Sequence, residues 1–257
     1  MKRISSQSIH LRGLASVATV LAAGLVSIHA ALVDVGPGNI TPAATVITFD
    51  TPLGTVNPSY TFNNVPGIGT ETVSFAGTFA GQTPTTGFPV TLSDSQPSNP
   101  LALNLSGPTT FVTNDGASDT NPVLSGSPEF NGPISMFFSK PVAGVALKGG
   151  YFDNPHSTSV EAYDASGKSL GILSNNVTGF EFYGLADSTG KADISGLSFF
   201  VTGNEPFGFE IDNVTFGAAQ AFSPVPEPST IILILSVGAG VALVTLRQRF
   251  VRPSQTA

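Results

Sequence analysis

The chain has 257 residues, 41% hydrophobic and only 11% charged, with 28 glycines, 20 prolines and no cysteine. The missing cysteines exclude disulfides and thiolate metal centres, so stability must come from packing or from oxygen-ligated metal. Six of the ten Lys and Arg lie near the two ends, leaving four lysines in the middle against nearly all of the 17 acids, and so acidic a body repels phosphate backbones and excludes nucleic acid as a partner.

Met1 to Arg12 carries Lys2, Arg3 and Arg12, and an apolar run from Leu14 to Ile28 leads to the small residues of His29-Ala30-Ala31. This pattern predicts a signal peptide over 1–30, cut near Ala30 by signal peptidase. The 15-residue run is short for a membrane span.

Residues 31–221 predict one β domain. Strand patterns are Val46 to Asp50, Thr72 to Phe79, Thr109 to Thr113, Ile134 to Phe138, Val142 to Lys148, Ser159 to Tyr163, Ser169 to Leu173, Phe180 to Gly184, Ile194 to Thr202 and Phe207 to Phe216. Short strands at this spacing, separated by turn residues and without a helical period, argue for an all-β, antiparallel β-sandwich of jelly-roll-like topology. Asp164, Ser166 and Gly167 supply hairpin chemistry between two of these strands. Pro141 belongs at a strand start, edge or bulge because it lacks a ladder donor. The alternation of Phe207, Phe209 and Ile211 slips to that of Val214 and Phe216 at Asp212-Asn213, the signature of a β-bulge. With 19 phenylalanines and no tryptophan, most aromatic rings should fill the space between sheets. The polar stretches Ser93 to Pro100 and Asn114 to Pro122 read as mobile or functional loops.

No catalytic constellation stands out, and the expectation is a protein that is not an enzyme. His156, the one histidine left after signal removal, lies in a loop near Asp153, and no G-x-S-x-G elbow presents a nucleophile. The acids offer many glycosidase-like pairs, and none is marked by the sequence. Exposed tyrosines are the amphipathic aromatics available for sugar stacking, with Tyr151 in its glycine-rich loop and Tyr163 as the candidate ligand-binding pair.

The end of the chain has a different construction. Pro224, Pro226 and Pro228 alternate with Val225 and Glu227, which keeps the backbone extended and out of sheet or helix interiors. Ser229 and Thr230 then precede 16 uncharged residues, Ile231 to Leu246, enough for roughly 24 Å of helix. That length spans a membrane if Arg247 and Arg249 snorkel, and those arginines place the C-terminus in the cytoplasm. The organisation predicted is a signal peptide (1–30), a β-sandwich (31–221), a sorting segment (222–252) with a transmembrane helix (231–246), and a tail (253–257).

Val225-Pro226-Glu227-Pro228-Ser229-Thr230, followed by the apolar run and by Arg247 and Arg249, resembles the PEP-CTERM sorting signal of Gram-negative bacteria. The resemblance covers about the last 30 residues. It implies an exported precursor held in the inner membrane, recognised there by an exosortase-type membrane peptidase, and released to the cell surface or the extracellular matrix. The implied role is structural or adhesive, within exopolysaccharide or biofilm. The body, through "ITFD", "VSFAGTFAGQT", "GYFDN" and "FGFEIDNVTFG", resembles the extracellular domains that precede such tails and, through them, jelly-roll carbohydrate-binding modules. A carbohydrate-binding module is therefore the alternative expectation and a glycan-acting hydrolase the third. No cofactor is required, although the second resemblance implies a structural calcium between Asp50 and Asp212.

Overall fold

The computed structural model describes residues 32–88, 90–92, 96–115 and 122–223. The expected signal peptide, the sorting motif with its helix over 231–246, and the tail lie outside the described residues. Among the described residues no helix is long and apolar enough to cross a membrane.

Thirteen strands are described: β1 (Leu32–Asp34), β2 (Thr45–Ile47), β3 (Ser59–Val65), β4 (Gly69–Ala76), β5 (Thr110–Thr113), β6 (Val123–Gly126), β7 (Ile134–Val142), β8 (Gly144–Phe152), β9 (Thr158–Tyr163), β10 (Ser169–Ser174), β11 (Gly179–Asp187), β12 (Ile194–Val201) and β13 (Glu210–Gly217). They form two sheets. One is ordered β1-β11-β8-β13-β6-β5, with β2 also on β13, and the other β10-β9-β12-β7-β4-β3. Every named strand pair is antiparallel.

Alternation within the strands decides which faces meet. In β4, Val73 and Phe75 are buried, while Thr72 and Ser74 turn the other way and meet Thr61 and Ser59 of β3 in hydroxyl pairs at 2.9 Å. Phe216 of β13 meets Phe62 of β3 at 5.6 Å and Phe138 of β7 at 5.5 Å between ring centroids. Phe199 of β12 meets Phe209 at 4.7 Å. These rings cross from sheet to sheet, so the two layers share one apolar core.

Irregularities fall where residue chemistry demands them. Asp164 Oδ1 accepts from the backbone N–H of Ser166 and Lys168, and Gly167 takes a φ of +79°, which closes the β9–β10 hairpin. The β12–β7 register jumps from Ile194↔Val142 to Gly196↔Phe137, so Pro141 sits in a bulge. A second shift separates Asp212↔Lys148 from Thr215↔Ala146, with Asn213 at a φ of +49°.

The long connection between β4 and β5 carries the polar stretch Ser93 to Pro100, of which 93–95 lie outside the described residues. Its described parts pack on the outer face of the six-stranded sheet, where Phe79 and Leu101 form a cluster with Tyr163. Ser98 N–H donates to Ala80 O at 2.6 Å. A buried polar chain lies under it: Ser198 Oγ donates to Gln82 Oε1, Gln82 Nε2 donates to Tyr163 OH, and Tyr163 OH donates to Glu161 Oε2 at 2.8 Å. Satisfied polar groups of this kind fix one seating of the connection.

The ends of β8 define two poles. At its first residue, a Cβ on Gly144 would lie 2.5 Å from the Phe222 ring, and Ser223 N–H donates to Asn39 O at 2.7 Å. The described chain therefore leaves the domain at this pole. At a rise of about 3.3 Å per residue, the far end of β8 is roughly 25 Å away.

Candidate functional site: an acidic, aromatic cleft

That far end opens into a cavity of about 490 Å³, lined by Asp115, Phe130, Tyr151, Phe152, Asp153, Gly179 and residues 207–210. Its volume lies in the range of small-molecule and glycan sites. Tyr151 stands at the end of β8 with its ring 4.6 Å from that of Phe180. Phe207 is 81% exposed, an apolar ring held in solvent at the rim.

Short-range chemistry holds the rim in place. Phe207 N–H donates to Asp153 Oδ2 at 2.8 Å. Asp153 N–H donates to Glu205 Oε1 at 2.9 Å, and Ser157 Oγ donates to Glu205 Oε2. Glu205 is wholly buried; burial, together with the neighbouring Asp153 carboxylate, pushes its carboxyl up to about 7. Gly208 has a φ of +93°, and a Cβ there would lie 1.9 Å from Phe130 O. Only glycine permits this docking, which Phe209 N–H completes by donating to Phe130 O at 2.6 Å.

Glu210 opens β13 and lines the cleft while only 2% exposed. Burial, a hydrogen bond with the Asp115 carboxyl and the charges of Asp115 and Asp212 push it up to about 9, against a smaller opposite pull from Lys148. It is therefore protonated at neutral pH. Its Oε2 is buried without a hydrogen-bond partner among the described residues, a burial that the neutral form of the carboxyl makes less costly.

The residues singled out from sequence are distributed unevenly around this geometry. Tyr151 lines the cleft. Tyr163 does not reach it: the ring is 2% exposed, packed edge-on against Phe79, and so has no face for a sugar. Asp50 is exposed and accepts from Thr48 Oγ1 at 2.6 Å, whereas Asp212 is buried and accepts from Asn213 Nδ2 at 2.7 Å. The two carboxylates have different partners, and among the described residues no group of three or more His, Asp or Glu side chains is placed to hold a metal ion.

Sequence reasoning missed Asp115, Phe130, Glu205 and Glu210, and placed Phe207 inside a strand. The strand begins three residues later, at Glu210, because the positive φ of Gly208 breaks the extended chain. An isolated Phe between Pro206 and Gly208 was the available signal for an exposed aromatic on a turn.

No family model and no curated protein matches the chain. Among solved structures, the crystal structure of the bacteriophage CBA120 tailspike protein 4 enzymatically active domain is similar over 43% of this chain and 18% of that one, at 19% identity and a TM-score of 0.28. The chain thus spans less than one fifth of that structure, and a likeness this slight carries no argument.

Proposed function

We propose that this is an exported surface or matrix protein whose β-sandwich, jelly-roll-like in topology, binds glycan through the cleft at the end of β8 and so serves an adhesive role in exopolysaccharide. The observation that carries the reading is the union, in one open cleft, of aromatic faces (Tyr151, Phe207) with carboxyl acceptors (Asp153, Glu210). Rings cover the apolar faces of sugars, and carboxyls accept from their hydroxyls. The position of the cleft also suits a tethered adhesin, since the described chain leaves at the opposite pole, beside Gly144.

Delivery rests on the sorting resemblance of Val225 to Thr230 with Arg247 and Arg249. In this reading the precursor is inserted through its signal peptide, held in the inner membrane and handed to an exosortase-type peptidase. Fractionation of cells carrying Pro226→Ala with Glu227→Ala tests it: the variant should accumulate in the membrane, and a distribution equal to that of the wild type refutes sorting by this motif. Affinity electrophoresis through gels containing soluble polysaccharides tests the binding half, with retardation expected for the wild type and lost in Tyr151→Ala.

A hydrolase is the second reading, favoured by one observation: the cleft holds both a protonated carboxyl, Glu210, and a second carboxyl group, Asp153. New reducing ends in a retarding polysaccharide would select it over simple binding.

A further inference from the structure

Two loops meet at the rim of the cleft, one after β8 (153–157) and one before β13 (202–209). Neutral contacts join them: Asn154 Nδ2 donates to Asn204 O at 2.8 Å, and Thr202 N–H donates to Ser157 O at 2.7 Å. Beside these ties sits the Glu205 carboxyl, wholly buried and not among the residues that line the cleft. It accepts from Asp153 N–H on Oε1 at 2.9 Å and from Ser157 Oγ on Oε2, so one side chain of the second loop fastens both ends of the first. Asp153 completes the circuit by accepting from Phe207 N–H at 2.8 Å. Glu205 therefore reaches the exposed ring of the rim through Asp153.

Charge makes this fastening conditional. The groups facing Glu205 are Asp153 from the loop after β8 and Tyr183 from β11. His156 precedes Ser157 in the same loop, where its carbonyl accepts from Thr202 Oγ1 at 3.3 Å. The Asp153 and Glu205 carboxyls are also hydrogen-bonded to each other, which requires a proton on one of the two. A second negative charge there would be both unsolvated and repelled, and burial with the Asp153 carboxyl accordingly pushes Glu205 up to about 7. Were the loop before β13 to swing out, the carboxyl would return to its ordinary value of 4.5. The closed rim thus keeps a proton that the open rim gives up between those two values. Closure weakens as pH rises from about 4.5 to about 7 and then levels off.

We propose that Glu205 is a positioning residue for the cleft: in its protonated form it clamps the two loops together and holds Phe207 at the rim, so that mild acid favours glycan binding. The inference rests on the glycan reading given above and adds its regulation.

The test makes two measurements on the purified full-length chain, each at about pH 5 and about pH 8. One is hydrogen exchange of the Phe207 amide without ligand; the other is depletion of the protein from solution by insoluble cellulose, chitin and curdlan. Protection of the amide, corrected for the intrinsic pH dependence of exchange, should fall at least tenfold from the lower pH to the higher, and depletion should weaken with it. Glu205→Gln keeps an acceptor for Asp153 N–H and offers N–H donors to the Asp153 carboxylate without titrating. Both readouts should then stay at the acid level of the wild type across the range. Glu205→Ala should be weak at both pH values. Asp153→Asn keeps an acceptor for Phe207 N–H but removes the facing charge, so its pH response should shrink; it serves if Glu205→Gln does not fold. A Glu205→Gln variant that loses protection with pH as the wild type does overturns the assignment of the response to this carboxyl. Full protection and depletion in Glu205→Ala overturns the positioning role. Amide protection that behaves as expected, while no polysaccharide depletes any form, overturns the glycan reading and leaves the clamp standing.

Discussion

The backbone N–H of Phe207 is tied to the carboxylate of Asp153 by a 2.8 Å hydrogen bond, so the most exposed aromatic ring described in the protein is held by a charge-assisted contact and not left to a free loop. Asp153 is itself fixed through its own N–H on buried Glu205. Asp153→Ala removes the bond to Phe207, at a cost of about 1.5–3 kcal/mol. Urea denaturation should show that loss, and hydrogen exchange at the Phe207 amide should accelerate. Unchanged protection of that amide would mean that the loop is held by something else.

Gly208 is the second fastening of the rim. Alanine there meets Phe130 O and has to sit at a φ of +93°, so Gly208→Ala should cost about 1–3 kcal/mol from the backbone conformation alone and displace the Phe207 ring. Glycan retention should fall further than the loss of stability accounts for. Retention equal to that of the wild type in a folded variant would contradict the placement of this turn at the site.

Glu205 and Glu210 make stability depend on pH in the direction opposite to that of a salt-bridged acid. Their folded values, about 7 and about 9, lie above the ordinary 4.5. Between 4.5 and those values the folded state binds more protons than the unfolded chain, so stability falls as pH rises, through about 7 for the first group and through about 9 for the second. Urea midpoints at pH 5, 7 and 9 should decline in that order, and Glu210→Gln should flatten the step from 7 to 9. A midpoint that rises across this range would contradict the burial of both groups as acids.

Phe216 lies where the sheets meet, between Phe62 and Phe138. Truncation to alanine opens a cavity there and should cost about 3–5 kcal/mol, read as a lowered thermal midpoint. Tyr163→Phe tests the outer layer: it removes the hydroxyl that links Gln82 to Glu161 and should cost about 1–3 kcal/mol by leaving buried polar groups unmatched.

Much of the fold was legible because apolar alternation and turn residues agree over short distances. The β9–β10 hairpin followed from Asp164 and Gly167, and the bulges followed from Pro141 and from the parity slip at Asp212-Asn213. Strand β3 was missed because "SYTFNNV" is mostly polar and belongs to an edge, where only Tyr60, Phe62 and the terminal Val65 face the core. Strand β6 was missed because "VLSG" is four residues long and buried throughout, with no alternation to detect. The site was less legible. Asp115, Asp153, Glu205 and Glu210 come together through contacts between segments distant in sequence, and spacing along the chain carries no trace of that. Tyr163 looked like an amphipathic strand residue, but the long connection folds back over it and turns it into core.

The central claim is that the end cleft holds glycan through Phe207 and Tyr151. Its most direct measurement is retention of the purified full-length chain on immobilised exopolysaccharide, with Phe207→Ala and Tyr151→Ala compared against the wild type. The account predicts at least a tenfold weaker hold for each variant, with unchanged thermal stability for Phe207→Ala, whose ring is exposed. Variants that are folded and retained as strongly as the wild type would contradict it.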